Sequence, residues 1–165
     1  MKRYTAYLSV GSNMGDPTAN CTRAIASLTA TDNITVICQS RFFYTEPVGY
    51  VHQDWFVNAM VKIETTLDPA KLLKTLKALE RENGRGISGV RFGPRILDMD
   101  IIFYEDMVVN EKGLTIPHPR MHKRHFVLRP FCDIDPEVVH PVLKKNVRQL
   151  RDALSAENQA VLVQD

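Results

Sequence analysis

Asp98 and Asp100 stand two residues apart in RFGPRILDMDIIF, residues 91–103, where the surrounding residues otherwise read as an apolar strand. On a strand, positions i and i+2 leave the same face, so both carboxylates can meet at one point. Two bare carboxylates so placed repel, and one takes up a proton unless a cation intervenes. Oxygen ligands alone suit Mg²⁺, which binds through one or two carboxylates and completes its octahedron with waters and phosphate oxygens. Arg91 and Arg95 crowd the same stretch, and guanidinium groups beside Mg²⁺ are what a polyphosphate requires. Without those arginines the pair would read as two solvated aspartates at a sheet edge.

Three further groups of residues bear on the same chemistry. Four of the eight glycines fall within GRGISGVRFG, residues 84–93, beside Arg85, Arg91 and Phe92. The literal G-x-G-x-x-G at Gly84, Gly86 and Gly89 follows a helical pattern and precedes a Gly-Pro corner, so it is not a dinucleotide fingerprint. A cationic loop that closes over a nucleotide fits these residues; a plain surface loop is the alternative. Phe56 and Asn58 share one strand face, where a ring and a carboxamide can hold a flat heterocycle by stacking and by paired hydrogen bonds. Taken alone, those two residues read more simply as a core phenylalanine beside a surface asparagine. Residues 112–129 carry Lys112, Arg120, Lys123, Arg124 and Arg129 with no acid, and His118, His122 and His125 lie among them. The histidines lack a fourth ligand and a zinc spacing, so the segment reads as anion-binding.

The elements that must position these groups follow from pattern. At 165 residues and a net charge of +2, the chain has the size of one domain and too little charge to argue for nucleic acid. Three cysteines in no motif spacing read as reduced thiols, and no leader or long apolar run appears, so a cytoplasmic protein is expected. A strand at 5–10 leads to a helix begun by Asp16-Pro17, with Cys21, Ala24, Ile25 and Leu28 at helical spacing. Residues 34–43 read as a strand, and 56–65 alternate cleanly as another. Asp68-Pro69 opens a second helix carrying Leu72, Leu73, Leu76 and Leu79, with Gly84 as its stop. A fourth strand spans 96–104, followed by a short strand at 107–109, a proline-rich loop at 116–119, and helices near 124–131 and 147–154. The order β-α-β-β-α-β predicts an α+β fold of the ferredoxin-like kind over residues 1–165, an antiparallel sheet with helices on both sides and extra C-terminal helices. That fold alone decides no activity.

The chain resembles one family, the 6-hydroxymethyl-7,8-dihydropterin pyrophosphokinases of folate biosynthesis. The resemblance rests on RFGPRILDMD (91–100), with LSVGSN (8–13), YTEPVG (44–49), FVNA (56–59), ERENGR (80–85), LTIPHP (114–119) and RHF (124–126) in the expected order. It implies pyrophosphate transfer from ATP to the pterin hydroxymethyl oxygen, with two Mg²⁺ ions on Asp98 and Asp100. By the same resemblance Phe56 and Phe126 flank the pterin, and Asn58 reads its edge with the backbone around Thr45, Pro47 and Val48. Glu80, Arg85, Arg91, Arg95, Ile101, Thr115, His118 and Arg124 then line the ATP side, with Arg85 and Arg95 nearest the reacting phosphates. Phe92, Ile87 and Gly113 stand where relatives often carry tryptophan, arginine and a basic residue. No nucleic-acid, membrane or obligate protein partner is expected. Two other readings of the bare residues remain: a metal-dependent nucleotidyltransferase, and a small RNA-binding module, which the lack of an RNP-type aromatic motif disfavours.

Overall fold

A computed structural model of the chain describes residues 2–45, 54–83, 96–155 and 159–163. Its centre is an antiparallel sheet in the order β5-β1-β4-β3-β8, where β1 is Tyr4–Ser12, β3 Phe43–Thr45, β4 Phe56–Thr65, β5 Asp98–Tyr104 and β8 Val161–Leu162. The remaining strand, β2 (Ile34–Gln39), pairs with β4 further along. Residues 34–43, expected as one strand, are thus two pieces laid along the same neighbour. The break falls at Ser40, whose buried hydroxyl accepts from Met60 N–H and donates to Arg41 C=O. That side-chain bond replaces a ladder rung, a device that alternation of apolar residues cannot signal.

Helices α1 (Pro17–Thr29) and α2 (Pro69–Glu82) begin as expected: Asp16 caps Ala19 N–H, Asp68 caps Lys71 N–H, and a proline follows each. α2 ends at Glu82 with Asn83 as its C-cap, donating its side-chain amide to Leu79 C=O; Gly84, expected as the stop, comes next and lies outside the described residues. Both helices cover one face, over Leu8, Val10, Val57, Val61, Ile63, Met99 and Ile101. Helices α3 (His125–Ile134) and α4 (Val147–Asp152) cover the other, over Tyr7, Met60, Ile102 and Phe103. α3 runs through Pro130, because Pro130 and Phe131 are buried there and packing outweighs the lost bond.

The hairpin after β5 also differs from expectation. Its strands are β6 (Val109–Glu111) and β7 (Leu114–Ile116), two residues later than the short strand expected at 107–109. Val108 is largely exposed, and Gly113 takes a positive φ of 81° at the tight turn. A 3-10 turn, Met121–Lys123, then delivers the chain to α3. Among the described residues no helix is long and apolar enough to cross a membrane.

Candidate active site

Register places the chemistry. Gly11 on β1 pairs with Asn58 on β4 to one side and with Asp98 on β5 to the other. Residues directly opposite in an antiparallel ladder share a face. Asn58, Gly11 and Asp98 therefore form a row across three strands, and Ser9 aligns Met60 with Asp100 one step along. Met60 lies under α3, so the row faces the side from which α3 begins. Phe56, two residues before Asn58, is on that face too, and its ring is half-buried.

Asn58 is only 4% exposed, so the simpler reading of it as a surface residue does not hold. Its amide donates to Thr45 Oγ1 at 2.9 Å, which fixes the orientation of the carboxamide. Its Oδ1 lies over Gly11, and a Cβ built at Gly11 would sit 2.5 Å from that oxygen. The missing side chain at residue 11 is the space the carboxamide occupies. Pro47 and Val48, also expected near this edge, lie outside the described residues.

Asp98 and Asp100 are both partly exposed and flank buried Met99. The Asp100 carboxyl is pushed up to about 7, first by burial and then by Asp98, with Glu80 adding and Lys77 and Arg124 opposing. Charge is therefore concentrated where a cation would relieve it. Among the described residues no cluster gathers three or more His, Cys, Asp or Glu. The carboxylate oxygens of Asp98 and Asp100 are donors that suit Mg²⁺, whose other positions go to water and phosphate.

Arg124, the residue before α3, is half-buried; burial pulls its guanidinium down and the charges of Asp100 and Asp98 hold it up. It lies 5.1 Å from the centre of the Phe126 ring. Phe126 itself is half-buried at the first turn of α3, on the same side of the sheet as Phe56. His118 is held well below its ordinary range, at about 4, by burial and then by Arg124 and Arg120. Its Nδ1 accepts Arg120 N–H at 3.2 Å, so the neutral ring carries its proton on Nε2 and can donate there.

Two expected ATP-side residues sit differently from what their type suggests. The Ile101 side chain is in the core under α1 and α2, on the face opposite Asp98 and Asp100, leaving its main chain to meet a ligand. Glu80 is 1% exposed; one oxygen accepts Met99 N–H at 2.7 Å and the other pairs with Lys77 Nζ at 3.1 Å. Thr115 is exposed on β7. Arg85, Arg91 and Arg95, with Phe92 and Ile87, lie outside the described residues. Lys77 and Gly11 were not singled out by sequence; a lysine three residues before a glutamate on a helix was the available signal for the first.

Residues 7–136 match the family model described as 7,8-dihydro-6-hydroxymethylpterin-pyrophosphokinase (HPPK). The chain is 37% identical over 151 residues to the 2-amino-4-hydroxy-6-hydroxymethyldihydropteridine pyrophosphokinase of Haemophilus influenzae, covering 90% of this chain and 94% of that protein. The enzyme of the same name from Methylorubrum extorquens is 41% identical over 134 residues, 81% of this chain and 84% of that one. The folic acid synthesis protein fol1 of Schizosaccharomyces pombe is 39% identical over 156 residues, but this chain spans only 21% of its length. Among solved structures, Plasmodium falciparum HPPK-DHPS with pterin and p-hydroxybenzoate superimposes with a TM-score of 0.73 at 18% identity. That match covers 92% of this chain and 42% of the other, and at such identity it speaks for the fold. By the family match and the two bacterial relatives, the chain belongs to the 7,8-dihydro-6-hydroxymethylpterin-pyrophosphokinase family.

Proposed function

We propose that the row Asn58–Gly11–Asp98 is the axis along which the pterin lies while it receives the pyrophosphoryl group of ATP. As a member of its family the chain is an ATP-dependent diphosphotransferase acting in folate biosynthesis. The carrying observation is the register: Asn58 and Asp98 sit two strand spacings apart, roughly 10 Å, on one sheet face. A bicyclic heterocycle with a one-carbon arm fits that span, its amide edge at Asn58 and its hydroxyl near the carboxylates.

In this reading Asn58, locked by Thr45, reads the pterin edge, while Phe56 and Phe126 flank the ring. Pro47 and Val48 would complete the pocket. Asp98 and Asp100 would hold two Mg²⁺ ions, which supply charge neutralisation and make the hydroxyl proton easier to lose. Arg124 brings a half-buried positive charge near the carboxylates, and His118 offers an Nε2–H donor without adding charge. Arg85, Arg91, Arg95, Thr115 and the main chain of Ile101 complete the ATP side. The hydroxymethyl oxygen attacks the β-phosphorus, the bond to the α-phosphate oxygen breaks, and AMP leaves. Positioning and charge account for most of such a transfer, so no protein group needs to become covalently attached.

Incubation with ATP, Mg²⁺ and 6-hydroxymethyl-7,8-dihydropterin, followed by product identification, tests this. AMP and a pterin diphosphate are expected. Release of pyrophosphate with a nucleotidylated pterin would overturn it in favour of nucleotidyl transfer.

A further inference from the structure

We infer that Glu80 is a positioning residue for the Asp98–Asp100 pair, with Lys77 as its counter-ion, acting through the main chain of Met99. The inference rests on the reading of those aspartates as Mg²⁺ ligands. Among the described residues β5 is the edge strand of the sheet, with β1 its one neighbour. On such a strand alternate N–H groups turn away from the neighbour and need another acceptor. Met99 N–H finds it in Glu80 Oε2 at 2.7 Å, on the last turns of α2. The Met99 side chain is fully buried on the α1–α2 face. Met99 is thus held by its side chain and by its amide, and the two carboxylates that flank it share that anchor.

A buried carboxylate is costly without partners, and Lys77 Nζ, 3.1 Å from Oε1, supplies the opposite charge. Glutamine could also accept from Met99 N–H. What glutamate adds is a charge-assisted bond, stronger than a neutral one, which holds Met99 and the two flanking carboxylates more firmly in place for a divalent cation. Glu80 therefore contributes to metal affinity from behind the ligands, a role distinct from contact with ATP itself.

The test is Mn²⁺ binding followed by electron paramagnetic resonance, in the presence of a non-hydrolysable ATP analogue, for the wild type, Glu80→Ala, Glu80→Gln and Asp98→Asn. Groups that orient metal ligands typically account for about 10–100-fold in affinity, so Glu80→Ala should weaken Mn²⁺ binding by about that factor. Glu80→Gln should fall between it and the wild type, and nucleotide affinity at saturating metal should change far less than metal affinity. Unaltered Mn²⁺ binding in Glu80→Ala overturns the inference. So does an equal loss of nucleotide affinity at saturating metal, which would make Glu80 a direct ATP ligand. Unaltered binding in Asp98→Asn would instead sink the metal-site reading on which the inference rests. If Glu80→Ala does not fold, the Met99 amide resonance of Glu80→Gln decides. An upfield shift with weaker Mn²⁺ binding supports the role, and a shift with unaltered binding removes it.

Discussion

Ionised Asp100 carries a cost in the metal-free protein that, on the proposed reading, a bound cation would offset. Its carboxyl titrates near 3.8 in an unfolded chain and is pushed up to about 7 in the fold by burial, Asp98 and Glu80. A folded-state pKa above the unfolded one gives stability that is present below about 3.8 and lost as pH rises toward about 7. Asp100→Asn should therefore raise the melting temperature of the metal-free protein at pH 8 while removing nearly all turnover. Calorimetry with a turnover assay checks both, and a less stable variant would count against the strained pair. Metal binding should also weaken as pH falls below about 7, because a proton then competes for the same oxygen. His118, held at about 4, stays neutral through that range, so a step in metal binding near pH 7 belongs to the Asp100 carboxyl.

Strands and helices set how precisely these residues meet, and two contacts between elements can be cut separately. Gly11→Ala places a methyl 2.5 Å from Asn58 Oδ1, and the carboxamide must swing off its bond to Thr45. Forced overpacking costs about 1–3 kcal/mol. Pterin affinity should fall by that order while ATP binding holds, as separate titrations of the two ligands would show; unchanged pterin affinity would mean Asn58 does not read the ring. Phe126→Ala should weaken pterin binding by roughly 1–3 kcal/mol, by analogy with base–aromatic stacking. It should also loosen Arg124, whose guanidinium lies over that ring, with a smaller loss in ATP affinity of about 0.5–1 kcal/mol. Much of this architecture was legible in sequence. The alternation of 56–65 matches β4 residue for residue, and both Asp-Pro pairs open helices, because those signals are local. The burial of Asn58 was not legible, since it depends on a glycine 47 positions away across a ladder (58 − 11). Ile101 was placed on the ATP side by resemblance, yet strand parity turns its side chain into the core. The break at Ser40 and the two-residue β8 likewise depend on partners that no short window contains.

Across the whole molecule the sheet separates two cores, and the candidate site lies on the side of the second, at the start of α3. The far end of α3 is tied down. Asp135, just past it, accepts the Tyr7 hydroxyl and pairs with Lys62 at 3.1 Å, while Arg41 grips Asp133 from β3's side. Behind α3 the chain turns back through 138–147, closed by a bridge between Val139 and Asn146. His140 holds that turn. It is buried, packs edge-on against Phe103, and its Nδ1 accepts the N–H groups of Val142 and Leu143 at 3.1 and 3.0 Å. Protonation would destroy that acceptor, and burial, with His122 nearby, holds the ring below its ordinary 6.5. Above 6.5 both folded and unfolded chains carry a neutral ring, so His140 adds no pH dependence there. Below 6.5 the unfolded chain takes the proton first, and stability falls with pH until the folded ring titrates too. His118 adds to the loss over the window from 6.5 down to about 4. His140→Asn keeps an acceptor near Nδ1 but cannot titrate. The melting temperature of the wild type should therefore drop between pH 7 and pH 5 more steeply than that of His140→Asn. Parallel slopes would show that the α3–α4 side does not sense acid through His140. Because Phe126 and Arg124 ride on α3, the same comparison should carry over to ligand binding, with pterin affinity at pH 5 better preserved in His140→Asn than in the wild type.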